Sequence, residues 1–466
     1  MLSSFLKIRD LLLIFLTLLI GVVAVGGLIK ETNADSNGPP EIPTLMTTVG
    51  SASSIQSEQS EETVGEDPIL QEMAVNYYVK KYKVARKEAR KRIEIQDKAS
   101  GIEDKVADLL GKDFAGIWYD ARRGGRLQIG LVRTVKDKVS DTKRIVKEFD
   151  VSKVTDVVNV RYSIADLEEI RDKISKENQD LILGGRIRIG YNTKANGVRL
   201  TLANGLNHAE KARLKKIIAT PGVYIRQSRS KSLKARLNQC AVRKCDPPMR
   251  GGREIVRGGR CTTAFVARFG DNPNVLGVIT AGHCIFASGG IDGVWSSDNA
   301  AGTAHNIGPA RKYFFAGALG EDEGMIRIDD GGYWGSPQAV GRVVVKASDD
   351  TTYNANYHIH SDSASSLGQI LCQTGRATGT HCGEVDDLGE EISPDLNGVS
   401  YTLKNMGELD PCVAEPGDSG GPLYKNKKAY GIHSATGHDD VFDCDEFYQG
   451  IRGAQRTLNV SLVFNE

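Results

Sequence analysis

Apolar positions recur at two different spacings along this chain, and the change of spacing divides it into a front part and a back part. In residues 68–107 the apolar side chains, among them Met73, Tyr78 and Tyr82, follow the spacing of one helix face, which predicts helix. Beyond residue 240, short β-type runs alternate with Gly, Asn, Asp and Ser, and no long amphipathic helix intervenes. This pattern predicts an all-β back part, whereas residues 113–227 mix both spacings and predict an α+β unit.

The α+β unit contains strand pairs followed by helical spacing, and no catalytic constellation stands out in it. Ser163 followed by Asp166 has the spacing of a capping box and predicts the start of a helix. The predicted strands are residues 114–119, 127–132, 157–162, 187–191, 198–202 and 223–225, and the predicted helices are residues 135–149, 163–174 and 207–218.

The N-terminal residues predict export. Lys7 and Arg9 precede an apolar stretch over residues 11–29, so we interpret residues 1–34 as a signal peptide. The stretch is long enough for a membrane span, and an uncleaved anchor that tethers the protein to a membrane is the alternative. Residues 35–67 are rich in Ser, Thr, Glu, Pro and Gly and predict a disordered linker.

The remaining chain divides at a basic segment. Residues 68–228 form the predicted α+β unit, and residues 250–466 form the predicted all-β domain. Between them, residues 229–249 predict a basic connector and processing region, because residues 226–236 carry Arg226, Lys234 and Arg236 among small polar residues. A solvated helix face is the alternative for this short basic run.

Charge is nearly balanced over the chain but not along it. The formal net charge is +1, yet from Arg250 onwards 17 Lys and Arg face 28 Asp and Glu, so the rest of the chain carries the positive excess. Opposite charges predict attraction between the two parts, although two unrelated solvated surfaces would look the same. The basic residues are mixed with acids and lack an aromatic stacking pattern, which argues against nucleic-acid binding.

All eight Cys lie in the back half, which predicts disulfides and an oxidising compartment. Sequence alone leaves their pairing open. No CxxC or HxxxH ligand set occurs, so we expect neither a zinc site nor another metal or cofactor.

Three short motifs of the back half supply the parts of a nucleophilic serine site. Ser419 lies in Gly-Asp-Ser-Gly-Gly-Pro, whose glycines allow a sharp turn and an accessible hydroxyl, and the N–H groups of Gly417 and Ser419 can form an oxyanion hole. His283 in Thr-Ala-Gly-His-Cys is the candidate base. Asp322 is the candidate carboxylate that orients it, because Asp322 immediately precedes a β-type run, whereas Asp329 and Asp330 lie in a Gly-rich turn.

These motifs carry a resemblance to a known family. Residues 250–466 resemble the chymotrypsin-like serine peptidases, in particular the streptogrisins and alpha-lytic protease. The resemblance implies two antiparallel β-barrels, with His283, Asp322 and Ser419 as the triad between them. It also implies the disulfides Cys261–Cys284, Cys372–Cys382 and Cys412–Cys444, which leaves Cys240 and Cys245 as a further pair.

The front unit resembles the pro-regions of the same family. The segments Phe-Ala-Gly-Ile-Trp-Tyr-Asp at 114–120 and Val-Asn-Val-Arg-Tyr-Ser at 158–163 carry this weaker likeness. It implies a zymogen whose own pro-region is an intramolecular chaperone and inhibitor and is then removed. An all-β domain with many non-local contacts folds slowly, which makes a folding template physically reasonable.

Two positions depart from the alpha-lytic pattern. Gln373 stands where the family has an Arg that pairs with the Asp before the nucleophile, so Asp418 needs other donors, either Arg376 or backbone amides. His433 stands in the strand that lines the primary pocket, as in glutamate-specific members, which implies a preference for Glu at the cleavage site. Ser434 and Thr436 are the other expected substrate-binding residues, and a pocket of mixed apolar specificity is the alternative.

The sequence therefore predicts a secreted serine endopeptidase, most simply a monomer, acting on proteins or peptides. A catalytically silent, protease-like binding module is the main alternative, although such relatives usually lose a triad residue. An esterase is the other, but its nucleophile elbow needs a βαβ context that residues 250–466 do not provide.

Overall fold

The computed structural model describes most of the chain from Glu66 to Phe464. The described ranges are residues 66–99, 101–132, 138–228, 233–237, 247–299, 301–329, 332–335, 339–349, 351–438 and 444–464. The predicted signal peptide, nearly all of the predicted linker, and Cys240 and Cys245 lie outside these ranges. Within them, no helix combines the length and the apolarity that crossing a membrane requires.

Residues 66–228, here called the front lobe, combine helices with two small groups of strands. Residues 68–107, predicted to be helical, contain three helices: Lys83 adopts a left-handed conformation that ends the first, and Gly101 precedes the third. Ser163 and Asp166 form the predicted capping box. The elements are α1 (Pro68–Tyr82), α2 (Arg86–Ala99), α3 (Ile102–Leu110), β1 (Phe114–Asp120), β2 (Arg126–Val132), α4 (Val139–Glu148), β3 (Thr155–Val160), α5 (Ile164–Glu177), α6 (Gln179–Leu183), β4 (Ile187–Asn192), β5 (Gly197–Leu202), α7 (His208–Ile218) and β6 (Val223–Gln227).

Residues 247–464, the back lobe, are mostly β, as the hydrophobic pattern predicts. A single strand, β7 (Lys234–Leu237), precedes this lobe and lies in the predicted connector. The back-lobe elements are β8 (Glu254–Arg257), β9 (Gly259–Thr262), β10 (Val266–Phe269), β11 (Leu276–Thr280), α8 (Gly282–Ala287), β12 (Val294–Asp298), β13 (Ala304–Ala316), β14 (Glu321–Arg327), β15 (Arg342–Lys346), β16 (Thr352–His358), β17 (Ser361–Asp362), β18 (Ile370–Gly375), β19 (Gly379–Leu396), β20 (Val399–Ser400), β21 (Leu403–Asp410), β22 (Pro422–Lys425), β23 (Lys428–His438), β24 (Cys444–Gly450), α9 (Ile451–Leu458) and β25 (Val460–Leu462).

Most strands of the back lobe form two large sheets, and β15 and β16 form a separate pair. One sheet has the order β25-β10-β11-β14-β13-β12-β8-β9, and Trp295 and Trp334 are fully buried in its core. The other runs β18-β22-β23-β24-β21-β19 and continues into the front lobe as β4-β5-β6. The two-barrel arrangement that the resemblance implies stays a prediction.

The front lobe joins the back lobe in two ways. Its strand β4 pairs antiparallel with β19, with Leu388 opposite Tyr191 and Glu391 opposite Ile189, so one sheet crosses both lobes. On another side, α1 and α2 pack their apolar faces on the back-lobe core beside the Cys372–Cys382 disulfide. Because both contacts bury residues of both lobes, the front lobe is an integral part of the folded chain.

Two disulfides have the pairing that the resemblance implies, Cys261–Cys284 and Cys372–Cys382. Cys412 is also disulfide-bonded, while the side chain of Cys444 lies outside the described part of the structure.

Candidate active site

The local fold brings His283 and Asp322 together. His283 lies in the first turn of α8, directly after strand β11, and Asp322 lies on the neighbouring strand β14. Gly282 permits this approach, since a side chain there would overlap the carbonyl of Phe314 on β13. The carboxylate accepts hydrogen bonds from the backbone N–H of His283 at 2.7 Å and pairs with His283 Nδ1 at 2.8 Å.

The environment keeps Asp322 ionised although it is fully buried. Burial opposes the charged form, but the His283 imidazole and the hydroxyl of Ser434, which donates to Asp322, outweigh it and lower the pKa of Asp322. An ionised, hydrogen-bonded carboxylate fixes the imidazole with its proton on Nδ1 and leaves Nε2 as the basic nitrogen. Ser434, which the sequence predicts as a substrate-binding residue, thus also contacts the predicted triad carboxylate.

Ser419 lies in a tight turn between the two large sheets of the back lobe, with its carbonyl bonded to Thr262 of β9 and the next N–H, of Gly420, bonded to His433 of β23. Gly417 and Gly420 have φ values of 102° and 87°, which side-chain-bearing residues rarely adopt, and a side chain at Gly420 would overlap Thr280 and Thr262. The Ser419 hydroxyl donates to the carbonyl of Ser434 at 3.3 Å. The turn therefore places the Ser419 hydroxyl against strand β23, whose Ser434 also bonds to Asp322.

Asp418 finds its donors in the backbone. One carboxylate oxygen accepts from the N–H of Ala377 at 2.6 Å, and the other accepts from the hydroxyl of Thr378 at 2.6 Å and the N–H of Glu415 at 3.0 Å. The sequence predicts either Arg376 or backbone amides as donors to Asp418. The structure shows backbone amides, together with the Thr378 hydroxyl. Arg376 donates to the carbonyl of Pro416 at 3.5 Å.

The predicted pocket residue His433 is fully buried beside two residues that sequence reasoning missed. Glu446 lies 3.4 Å from His433 Nδ1 and 3.2 Å from His381 Nε2. Burial lowers the pKa of His433, whereas Glu446 overcomes the effect of burial and raises the pKa of His381. Glu446 lies on β24 opposite Thr436 of β23, and this strand pairing is what brings it to His433.

Polar atoms in this region lack partners. Both ring nitrogens of His433 and both amide atoms of Gln373 are buried without a hydrogen-bond partner among the described residues. Unpaired buried polar atoms cost free energy, on the order of 1–3 kcal/mol each. A polar ligand side chain that satisfied them would bind with a corresponding gain.

Strand β7 lies along the same strand that carries Ser434 and Thr436. It pairs antiparallel with β23, with Leu237 opposite Ala435 and Arg236 opposite Thr436, and parallel with β19, with Lys234 opposite Ser393. An extended segment of the chain thus occupies the edge beside Ser419.

One acidic group has the spacing of a cation site. Asp386, Asp387 and Glu408 bring carboxylate oxygens within 4.8 Å of one another. Arg199 forms ion pairs with Asp387 and Glu408, so a guanidinium group already compensates these charges.

Comparisons with known proteins find similarity to serine proteases. No protein-family model matches the chain. It is 25% identical over 451 residues to serine protease 1 of Rarobacter faecitabidus, covering 96% of this chain and 73% of that protein. It is 28% identical to streptogrisin-A of Streptomyces griseus, covering 47% of this chain and 63% of that protein. Among solved structures, a glutamic-acid-specific serine protease is 24% identical with a TM-score of 0.36, over 46% of this chain and 100% of that one.

Proposed function

We propose that this chain, which is a chymotrypsin-like serine endopeptidase, is exported as a zymogen and cleaves peptide bonds through His283, Asp322 and Ser419. The observation that carries the catalytic assignment is the buried His283–Asp322 pair, 2.8 Å apart, with the next residue, Cys284, 3.9 Å from the carbonyl oxygen of Ser419. The described disulfides support an oxidising destination outside the cytosol.

In this mechanism Ser419 Oγ attacks the carbonyl carbon of the cleaved peptide while His283 Nε2 takes its proton. Asp322 stays ionised and stabilises the imidazolium that forms. The N–H groups of Gly417 and Ser419 stabilise the negative oxygen of the tetrahedral intermediate. His283 then protonates the departing amine, and water hydrolyses the acyl-enzyme by the same steps in reverse.

The front lobe fits the role of a pro-region that is both inhibitor and chaperone. Strand β7 runs antiparallel to β23 beside the nucleophile, which is how an extended peptide adds to a sheet edge. Because Leu237 lies opposite Ala435, self-cleavage is expected directly after this strand, at a bond without Glu that the chain itself holds in place rather than one that the pocket selects. The alignment with the Rarobacter protease, which covers 96% of the chain, supports a precursor with both parts.

Removing the front lobe should slow folding of the back lobe. A chain that starts at residue 229 is expected to recover activity after dilution from denaturant more than about tenfold slower than the whole chain, because non-local strand pairing then has no template. Adding the separately made front lobe should restore the rate. Equal refolding rates with and without the front lobe would refute the chaperone role and leave the catalytic assignment intact.

We further propose that the pocket prefers Glu at the cleavage site, with His433 as the residue that binds its carboxylate. Glu446 lies beside both His381 and His433 Nδ1, so Nε2 is the His433 nitrogen that would bind the substrate carboxylate. Gln373 and Thr436 add neutral polar groups. The pocket of mixed apolar specificity remains the alternative that a peptide series decides.

The Glu preference should depend on His433 and on pH. A His433→Val enzyme is expected to cleave after Glu about 10- to 100-fold less efficiently, the loss of one hydrogen bond to a charged group, and to cleave after Leu unchanged. Burial lowers the pKa of free His433, and a bound carboxylate raises it again, so binding takes up a proton. The ratio of kcat/KM for Glu over Leu peptides should therefore rise as pH falls below neutrality. Equal cleavage after Leu and Glu by the wild-type enzyme would contradict the proposed Glu preference.

A further inference from the structure

We infer that the back lobe carries an acidic subsite that binds arginine side chains in the part of a substrate N-terminal to the cleaved bond. The acidic subsite consists of Asp387, Glu390, Glu408 and Asp445 together with the adjoining edge of β19. The inference rests on the proposed function, because the subsite becomes accessible when the front lobe leaves.

Two arginines of the front lobe occupy the acidic subsite in the whole chain. Arg199 forms ion pairs with Asp387, with Glu390 at 3.1 Å and with Glu408 at 2.8 Å. Arg188 lies 2.7 Å from Asp445 and 3.4 Å from Glu390. All six side chains are at most 6% exposed, so the carboxylates depend on these guanidinium groups for compensation.

The charges of the acidic subsite are divided unevenly between the lobes. All four carboxylates belong to the back lobe and both buried arginines to the front lobe. Departure of the front lobe therefore leaves four neighbouring negative charges on the enzyme. Arginine matches them better than lysine, since its planar guanidinium group can donate to two carboxylates at once.

The edge of β19 connects the acidic subsite to the bond-cleaving residues. Strand β7, which lies along the nucleophile's strand, pairs with β19 at residues 393–395, and β4 pairs with the same edge at residues 388–391. Because β7 runs parallel to β19, a substrate strand that kept this register upstream of the position of Lys234 would pair with the stretch of β19 that β4 covers. Without the front lobe, the upstream part of a substrate can extend along this free edge.

The register gives the distance from the cleaved bond. Lys234 lies beside Ser393, and Glu390 and Asp387 lie three and six residues earlier on β19. With cleavage directly after β7, the side chains that reach the acidic subsite are roughly seven to eleven residues before the cleaved bond.

The chain's own sequence fits this recognition. Residues 226–236 read Arg-Gln-Ser-Arg-Ser-Lys-Ser-Leu-Lys-Ala-Arg, so the segment that leads into β7 is basic. Arg226, on β6 at the end of the front lobe, has Nη1 4.0 Å from Glu408, so a third and more exposed arginine also lies beside the acidic subsite. The connector thus combines an extended strand beside Ser419 with upstream positive charge.

The test compares matched peptides on the enzyme obtained by activating the whole chain. Each peptide carries one cleavable bond and an arginine pair seven and nine, eight and ten, or nine and eleven residues before it. The controls carry glutamine at those positions, or the arginine pair downstream of the bond. At low salt, at least one upstream arginine peptide should show about tenfold higher kcat/KM through a lower KM, and the difference should shrink at about 0.5 M salt, where screening is strong.

Variants assign the effect to the acidic subsite. Glu390→Gln with Glu408→Gln should abolish the upstream preference, while Asp271→Asn with Asp292→Asn, an equal charge change at exposed positions, should keep it. Should the first double variant fail to fold, the wild-type peptide comparison still decides. Equal kcat/KM for upstream arginine and glutamine peptides overturns the inference. Arginine peptides that inhibit without any dependence on upstream position would indicate a partner surface and also overturn it. Failure to cleave any peptide would instead contradict the proposed function.

Discussion

Ser419→Ala is expected to lower kcat of the activated enzyme by about 10⁵- to 10⁶-fold, the size of effect seen when a catalytic serine is removed from a triad. The same change should block self-cleavage, so the whole chain should accumulate uncut. The physical reason is that no other hydroxyl in the turn between Gly417 and Gly420 replaces the nucleophile, while the His283–Asp322 pair stays intact.

A fluorophosphonate probe measures this directly. Wild-type enzyme should be labelled on Ser419, and the Ser419→Ala variant should not be labelled. Ser400→Ala, in the short strand β20, is a matched control that should retain activity and labelling. Labelling of the Ser419→Ala variant at the wild-type rate would disprove the assigned nucleophile. Absence of labelling in the activated wild type would favour the silent binding module.

Sequence motifs predict the candidate site residues best where adjacent residues in the chain determine the local backbone conformation. His283 follows a buried strand and a glycine, and Ser419 lies between glycines with positive φ, so local backbone needs leave a readable signature. The position of Asp322 before a β-type run predicts it as the orienting carboxylate, and the structure places it against His283. Lys83 ends the first helix in a left-handed conformation, but it is not a glycine. The hydrophobic pattern therefore predicts helix over residues 68–107 without showing where one helix ends and the next begins.

Contacts between distant segments could not be read in this way. Glu446 and His381 are 65 residues apart, and only the pairing of β23 with β24 brings Glu446 to His433. The strand β7 was hidden for another reason: its basic residues resemble a solvated connector, and only the two neighbouring strands make it regular. The charge imbalance predicts attraction between the lobes. It does not predict that two buried arginines, Arg188 and Arg199, make the ion pairs.

Arg199→Gln is expected to weaken the hold of the cleaved front lobe on the back lobe by about 10²- to 10³-fold. Removing one partner of a buried ion pair costs on the order of 3–5 kcal/mol, because the charges left behind are neither solvated nor compensated. Arg199 serves three carboxylates, and Gly190 on the adjacent strand leaves the space through which the Glu390 side chain reaches it. A glutamine amide offers them no positive charge.

The measurement is activity on dilution of the cleaved complex, from which the dissociation constant of the front lobe follows. Arg213→Gln is the matched control, since Arg213 is 40% exposed and pairs with Asp180 in the front lobe itself. Exposed pairs contribute about 0–1 kcal/mol, so this variant should dissociate nearly as the wild type does. Equal dissociation constants for Arg199→Gln and Arg213→Gln would mean that strand pairing and the helices α1 and α2, rather than the buried ion pairs, hold the lobe. If only Arg199→Gln weakens the binding of the front lobe, the acidic subsite is the main electrostatic contact between the lobes of the zymogen. Activation, which removes the front lobe, then exposes the acidic subsite directly.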